Sequence, residues 1–561
     1  MRVALCQTNS TVGDLPGNME RIRRAAYEAS DNGAHLAVFP ELVLTGYPPL
    51  DLLERPTFIE DARRACAQLV DALPEGLTVV FGTVRRRPTP PVVGRALQNI
   101  AVIAQRGSVL GTVVKSLLPT YDVFHEARYF SPAGAPSPVF EVAGRRVGVT
   151  ICEDIWNDDE MWQNDDLWRD KAPGSHRIYD RDPLAELVRQ HAPDIVVNLS
   201  ASPWSWGKEQ ARRRLLKHVA RRHRIWMLYA NLVGANDGLI FDGNSMAYDP
   251  AGVHVGTGPS WTEGSLLVDL EASSMRIEPT RDESREIRAA LSLGIRDYLE
   301  KSGIPRAIIG LSGGIDSAVT ATLAVHALGS ERVLGVAMPS RVSSEGSVAD
   351  AAALAGNLGI QMHQVPIEPI NQAFLEGLGP LFGDRPTDVT EENLQSRIRG
   401  VILMAVSNKF GGVVLNTGNK SEAAVGYATI YGDAIGALSV LGDLYKHQVY
   451  QQAELANEDE EVIPRSTIRK PPSAELRPDQ RDEDSLPPYD VLDPMLRMFL
   501  EARATPEEIA TALSLAPKEV DQVVRLVYQA EYKRKQFPPT LRVSRKAWVG
   551  RLFPIVNRFR R

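Results

Sequence analysis

Cysteine is scarce: three residues in 561, namely Cys6, Cys66 and Cys152. No two share the short spacing of a zinc site or a disulfide framework, which excludes a scaffold stapled by either. Cys6 and Cys66 fall within apolar patterns and read as small core residues. Long hydrophobic runs are missing too: none approaches the roughly 20 residues needed to span a bilayer. The opening stretch, "MRVALCQTNSTVGD", lacks a basic leader followed by an apolar stretch and a small-residue cleavage site. It reads as a first strand, and the expectation is a cytoplasmic chain that does not engage membranes.

What is present is ordinary globular material, 43% hydrophobic and 24% charged, in a chain long enough for roughly two to four domains. The net charge of −7 is uneven. Residues 533–561 carry ten Lys or Arg and no acid, so the rest of the chain sums to −17. A basic tail raises nucleic acid as a partner. Its interleaving with apolar residues, "AWVGRLFPIVNRF", instead predicts a docked segment, and no nucleic-acid partner is expected.

Two rhythms divide the chain. Residues 1–272 repeat short Val- and Ile-rich runs, among them "RVALCQ", "LTVVFGTV", "RRVGVTICED" and "DIVVNLSAS". Gln98–Ala104 and Ser108–Lys115, joined through Gln105-Arg106-Gly107, predict a hairpin. Helical patterns intervene at Asn18–Ser30 and Lys208–Arg222. Mixed hairpins and helices predict an α/β sandwich. Residues 273–285 are polar and patternless, a predicted linker. From 286 to 561 strands alternate with helices, beginning with the apolar stripe Ile287, Leu291, Ile295 and Leu299. That alternation predicts a doubly wound parallel sheet, with ligands at the carboxyl ends of its strands, and a helical C-terminal tail. Thr505-Pro506-Glu507-Glu508 carries the signals of a helix start. Lys470–Pro488, proline-rich and charged, reads equally as a disordered loop or as a lid over a phosphate site.

"AIIGLSGGIDS" (307–317) has the form of a phosphate loop without the lysine of a nucleotide-hydrolysing one. Ser312, Gly313 and Gly314, after a strand and opening a helix, form an anion nest of backbone N–H groups. Asp316 cannot hold phosphate directly and suits Mg²⁺. "SGGIDS" resembles the pyrophosphate loop of the N-type ATP pyrophosphatase superfamily (adenine nucleotide α-hydrolase, Rossmann-like), whose members activate a carboxylate or carbonyl by adenylylation. "ENLQSRIRG", "NTGNKSEAAVGYATIYGD" and "LGDLYKHQVY" are similar to the NAD synthetases within it. The resemblance implies ATP binding by Gly310, Leu311, Ser312, Gly313, Gly314, Ile315, Asp316, Ser317, Thr417 and Lys446. It implies Mg²⁺, accompanying ATP, on Asp316 and Glu422. Glu422, Asp433, Asn393 and Arg397 are then expected on the deamido-NAD⁺ side, although Asn393 reads also as a near-cap and Arg397 as a solvated charge.

In the first half Cys152 sits where a strand runs out, beside Glu153 and Asp154. Carboxylates disfavour a thiolate, so a nucleophile there needs a base and a compensating cation. Glu41 and Lys115, at other strand ends, are the candidates. Residues 1–270 resemble the carbon–nitrogen hydrolase (nitrilase) superfamily, an α-β-β-α sandwich. There Glu41 is the general base, Cys152 the nucleophile and Lys115 the oxyanion stabiliser. Glu126 matches a further glutamate that positions the lysine, and His125 departs from a frequent acid. The resemblance implies glutamine as substrate, in a pocket of Tyr47, Tyr121, Phe124, Glu153, Ser202 and Lys208. Glu153 is expected against the α-amino group. Lys208 stands where an arginine is usual, a point charge in place of a fork for the α-carboxylate.

The whole chain thus resembles the glutamine-dependent NAD⁺ synthetases, and the resemblance implies a homo-oligomer, a dimer at least, with an octamer as the larger form. The alternatives are another ATP-pyrophosphatase amidotransferase, such as a GMP synthetase, or a scaffold with a dead hydrolase domain. Those amidotransferases use other glutaminase types, and the intact Glu41, Lys115 and Cys152 speak against a scaffold.

Overall fold

A computed structural model describes residues 1–89, 93–164, 177–272 and 281–558. It divides into two units, Met1–Thr280 and Arg281–Arg561. In the first, six strands form one sheet, in the spatial order Gly264–Asp269, Arg2–Gln7, Leu36–Val38, Thr78–Arg86, Leu97–Gln105 and Ser108–Val114. A second six-stranded sheet runs His254–Thr257, Met246–Tyr248, Trp226–Asn231, Ile195–Ser200, Arg145–Ile151 and Val139–Val142.

The alternation of side chains along each strand explains the layering. Val3 and Leu5 join Val149, Val197 and Leu228 in a core between the sheets. Ala4 and Cys6 turn the other way, toward helices Leu15–Asp31 and Pro56–Asp71. Val196 faces helices Pro183–His191 and Lys208–His223 on the far side. Both faces of each sheet are therefore covered, and the four layers are the expected α-β-β-α sandwich. The predicted hairpin forms with Gln105 opposite Ser108, so that Arg106-Gly107 alone makes the turn.

In the second unit a parallel sheet runs Gln361–Gln364, Val333–Ala337, Ala307–Gly310, Val413–Asn416 and Leu438–Ser439. From Ala307–Gly310 the chain winds out to one edge, then crosses back to Val413–Asn416 on the other side. The switch point lies between these two strands, where their carboxyl ends leave a crevice. Helix Glu283–Lys301 buries the predicted stripe. Asp282 caps that helix by accepting from Arg285 N–H, so the expected linker 273–285 gives way to helix before its end; 273–280 lie outside the described residues.

Thr505, Pro506 and Glu508 open a helix with the reciprocal cap that the sequence predicts. Helices Tyr489–Leu500, Pro506–Leu513 and Pro517–Gln529 share one apolar cluster. The basic tail is docked: Leu541 and Val543 are buried, and Trp548 Nε1 donates to Gly442 O at 2.8 Å. Lys470–Pro488 contains a 3₁₀ turn at Asp482–Asp484 and a dense set of hydrogen bonds.

Candidate active sites

Three strand ends build the site of the first unit. Glu41 follows Leu36–Val38, Lys115 follows Ser108–Val114, and Cys152 follows Arg145–Ile151. Lys115 Nζ lies 2.7 Å from Glu41 Oε1 and 2.8 Å from Glu126 Oε1, with all three side chains essentially removed from solvent. Burial alone lowers the lysine's proton affinity, but the two carboxylates outweigh it and keep the ammonium charged. Glu41 also accepts from Asn99 Nδ2 at 2.7 Å and from Ala201 N–H at 3.3 Å. Tyr47 Oη donates to Glu126 Oε1 at 3.2 Å. Burial raises the Glu126 pKa, opposed by Lys115.

Cys152 begins a short 3₁₀ turn with φ of 44°, a left-handed conformation that a non-glycine residue adopts at a cost. Burial and then Glu41 push its thiol upward, while Lys115 pulls it down. The net direction favours the neutral thiol. Asp154 fixes the turn. Its carboxylate accepts from Ser116 and Leu117 N–H, next to Lys115, and from Ile151 N–H, next to Cys152. Neither Asn99 nor Asp154 was assigned a role from the sequence. Asp154 stood next to the candidate cysteine, whereas Asn99 in mid-strand gave no signal.

The residues of the expected glutamine pocket fall into several local groups. Tyr47 belongs to the Glu126–Lys115–Glu41 chain. Tyr121 donates to Glu153 Oε1 at 2.8 Å and meets Phe124 edge-on at 5.5 Å between ring centroids. Ser202 follows Ala201, and its N–H is held by Asn231 Oδ1 at 3.1 Å. Lys208 opens its helix with the ammonium 4.1 Å from the Trp156 ring centroid. His125 is exposed.

In the second unit a cavity of about 450 Å³ lies at the switch-point crevice. Gly310, Leu311, Ser312, Gly314, Ile315, Asp316, Ser317, Thr417, Glu422, Asp433, Lys446 and Asn393 all line it. Gly313 instead shapes the turn. Its φ is 77°, and a Cβ there would come within 2.2 Å of Ser347 O. Among the described residues no side chain caps helix Ile315–Leu328, which leaves its first N–H groups facing the crevice. Lys446 Nζ bridges Asp316 Oδ2 at 2.6 Å and Glu422 Oε1 at 3.1 Å. Asn419 Nδ2 holds the other oxygen of Asp316 at 2.8 Å. Burial, then the Asp316 charge, push Glu422 upward against the pull of Lys446. Burial also raises Asp433, whose Oδ1 accepts from Thr429 N–H and Ser396 Oγ.

Arg397 is the expectation that this cavity does not meet. Its backbone lies on helix Val389–Phe410, but the side chain is exposed and donates to Ile430 O at 3.3 Å. Helix period explains it: Ser396 and Arg399 turn toward the cavity, and Arg397 turns away. Asn393 is not a cap, since Asp388 and Glu391 cap this helix; its Oδ1 accepts from Thr429 Oγ1. Lys470 and Glu475, from the segment expected to be a loop or a lid, also line the cavity, as do Arg399 and Lys533, for which the sequence suggests no role. Charged residues on a mid-helix or in a proline-rich segment look solvated until the fold closes over them.

Residues 287–537 match the NAD synthase family model, and residues 2–166 and 177–277 match the carbon–nitrogen hydrolase model. The glutamine-dependent NAD(+) synthetase of Synechocystis sp. is 44% identical over 99% of both chains. The chain belongs to that family. The Thermotoga maritima NAD(+) synthetase is 39% identical, over the whole of this chain and 99% of its own. A solved structure of the Acinetobacter baumannii glutamine-dependent NAD⁺ synthetase, in complex with ADP, is 38% identical and superposes with a TM-score of 0.75. It covers 99% of this chain and 98% of its own. Of the two sites in this member of the NAD⁺ synthetases, Glu41, Lys115 and Cys152 lie within the hydrolase match. The cavity lies within the synthase match. Among the described residues no helix is long and apolar enough to cross a membrane.

Proposed function

We propose that the chain makes NAD⁺ from deamido-NAD⁺, ATP and glutamine, releasing AMP, pyrophosphate and glutamate. The observation that carries this reading is a thiol–carboxylate–lysine site and a nucleotide-sized cavity in one chain, each inside its own family match. Glu41 takes the Cys152 proton, and the thiolate attacks the glutamine amide carbon. Lys115 offsets the oxyanion, ammonia departs with a proton, and water opens the thioester to glutamate. Tyr121 and Glu153 face the substrate's α-amino end, and Lys208 with Ser202 the α-carboxylate. Tyr47 and Phe124 form the pocket wall.

In the second unit the nicotinate carboxylate of deamido-NAD⁺ attacks the α-phosphorus of ATP. The Ser312–Ser317 loop and the open helix end hold the departing pyrophosphate, assisted by Lys446 and Thr417. Ammonia then displaces AMP from the acyl adenylate. The donor set of Asp316 and Glu422 fits Mg²⁺, a hard cation that takes one or two carboxylates together with substrate phosphates. When bound, that ion neutralises phosphate charge. Asn393 and Asp433 face the dinucleotide, and the Lys470–Pro488 segment is a lid.

Arg397 reaches deamido-NAD⁺ across a dimer. Supporting this are the exposed apolar residues Val401 and Met404 on the same helix, and Phe374 and Leu381 on the preceding one. The cytoplasm is the proposed location. The test is pyrophosphate release with deamido-NAD⁺ set against xanthosine monophosphate, each with glutamine and with ammonium. Turnover with xanthosine monophosphate alone would overturn the reading.

A further inference from the structure

The basic tail of the second unit has no part in the chemistry just described, yet its contacts converge on the backbone that presents that chemistry. Glu422 and Lys446 line the cavity, and the buried Asn419 holds Asp316, which lines it too. The residues between and beside them face the other way. Lys420, fully buried, places its Nζ 3.0 Å from Asp443 Oδ1, 2.7 Å from Ser544 Oγ, 2.9 Å from Lys546 O and 3.2 Å from Glu501 Oε1. Asp443 accepts from Val543 N–H, Ser544 N–H and Ser544 Oγ at 2.7–2.8 Å. Lys420 N–H in turn donates to Leu444 O, locking helix Lys420–Val425 to the turn that leads into helix Lys446–Ala456. The tail also crosses Ser439 as a parallel bridge at Thr540, and Trp548 reaches Gly442.

We propose that residues 539–548 are a positioning clamp for the phosphate site, acting through Lys420 and Asp443 on Glu422 and Lys446. The proposal rests on the reading of that cavity as the ATP site. A buried lysine holding two carboxylates and a tail serine fixes its neighbours in place only while every partner is present. Glu422 lies two residues from Lys420, and Lys446 three from Asp443. The clamp therefore sets where the two side chains meet. Lys420 and Asp443 are positioning residues and touch no substrate.

Ser544→Ala removes one hydroxyl from the node, and Lys420→Met removes its cation. Lys420→Arg restores charge with a different fork. All are made in the full chain. Their folding is checked by near-UV circular dichroism, and their glutamine hydrolysis by the first unit, which the clamp leaves unchanged. With ammonium as nitrogen donor, kcat for NAD⁺ formation should fall about tenfold in Ser544→Ala and about 10²-fold in Lys420→Met, the size of effect that a misplacement of about 1 Å produces. KM for deamido-NAD⁺ should move little, and Lys420→Arg should recover part of the loss. Folded Ser544→Ala and Lys420→Met variants with wild-type kcat would overturn the clamp. A wild type silent with deamido-NAD⁺ would overturn the reading of the function instead. The clamp is then judged on Mg·ATP affinity, and an unchanged Kd in both variants overturns it.

Discussion

Each unit centres on a lysine held between two carboxylates, and the two triads differ in what lies beyond them. Lys115 sits between Glu41 and Glu126, whose side chains are 0% and 7% exposed. Lys446 sits between Asp316 and Glu422, whose side chains are 20% and 18% exposed. The first triad is sealed and has its charges committed to one another and to a thiol. In the second, the carboxylates keep an open side toward a 450 Å³ cavity. Low-dielectric closure suits an oxyanion that develops in place, whereas an open side suits a large polyanion that must enter and leave.

The largest effects separate the two triads by nitrogen source. Cys152→Ala should lower glutamine-dependent NAD⁺ formation by several orders of magnitude, because no nearby group replaces the thiol. Synthesis from ammonium should survive. Asp316→Ala should abolish synthesis from either source while glutamine hydrolysis persists. Steady-state rates on both purified variants check this. A folded Cys152→Ala enzyme inactive with ammonium would break the division between the sites.

Closure can be tested through stability. Lys115→Met strands two carboxylates with no access to water, which costs about 3–5 kcal/mol. Lys446→Met leaves carboxylates that water reaches from the cavity. One of them, Glu422, is already pushed toward its neutral form, so the expected cost is about 1–3 kcal/mol. Denaturant unfolding of both full-length variants gives the order, and equal losses would mean that exposure is not what distinguishes the triads.

Much of this was legible in the sequence because strand ends carry chemistry and strand periodicity is easy to read. Glu41, Lys115, Cys152 and the Ser312–Ser317 loop all follow recognisable apolar runs. The residues that hold them were not legible. Asn99 pairs with Glu41 across 58 positions, and Asn419 pairs with Asp316 across 103. Long-range partners leave no local pattern. Arg397 and Arg399 differ by two positions on one helix, and only the packing of that helix decides which one sees the cavity. The tail's apolar interleaving predicted docking, but not that its target was the Lys420–Asp443 pair.

A smaller effect concerns the open side itself. Glu475 accepts from Ser347 Oγ at 2.7 Å and from Lys470 Nζ, tying the proline-rich segment to helix Glu345–Leu358 at the cavity rim. ATP with deamido-NAD⁺ should protect Lys470–Pro488 from limited proteolysis severalfold. Equal cutting with and without substrates would leave the second triad uncovered during turnover.

The smallest effect lies away from both triads, at an ion pair that titrates where neither lysine does. His218 Nε2 lies 3.2 Å from Asp158 Oδ1, and Arg222 reaches the other oxygen at 2.7 Å. The hydrogen bond that His218 donates to Asp158 raises the histidine pKa above its ordinary 6.5. Burial pushes Asp158 upward, but His218, the Met161 N–H and Arg222 overcome this and hold it at about 2, against 3.8 when free. A raised histidine contributes stability that is complete below pH 6.5 and is lost as pH rises through the folded value. A depressed aspartate contributes above pH 3.8 and loses its contribution as pH falls toward 2. The contribution of this pair should therefore be greatest between about pH 4 and 6.5. Since the histidine is partly exposed and Arg222 remains paired, the alkaline loss should be only about 0.2–1 kcal/mol. His218→Gln should remove that loss and leave glutamine hydrolysis unchanged. Unfolding midpoints of wild type and variant from pH 5 to 9 measure the difference. A parallel shift in the hydrolysis pH profile would mean that this pair communicates with the sealed triad, and that its closure is less complete than its burial implies.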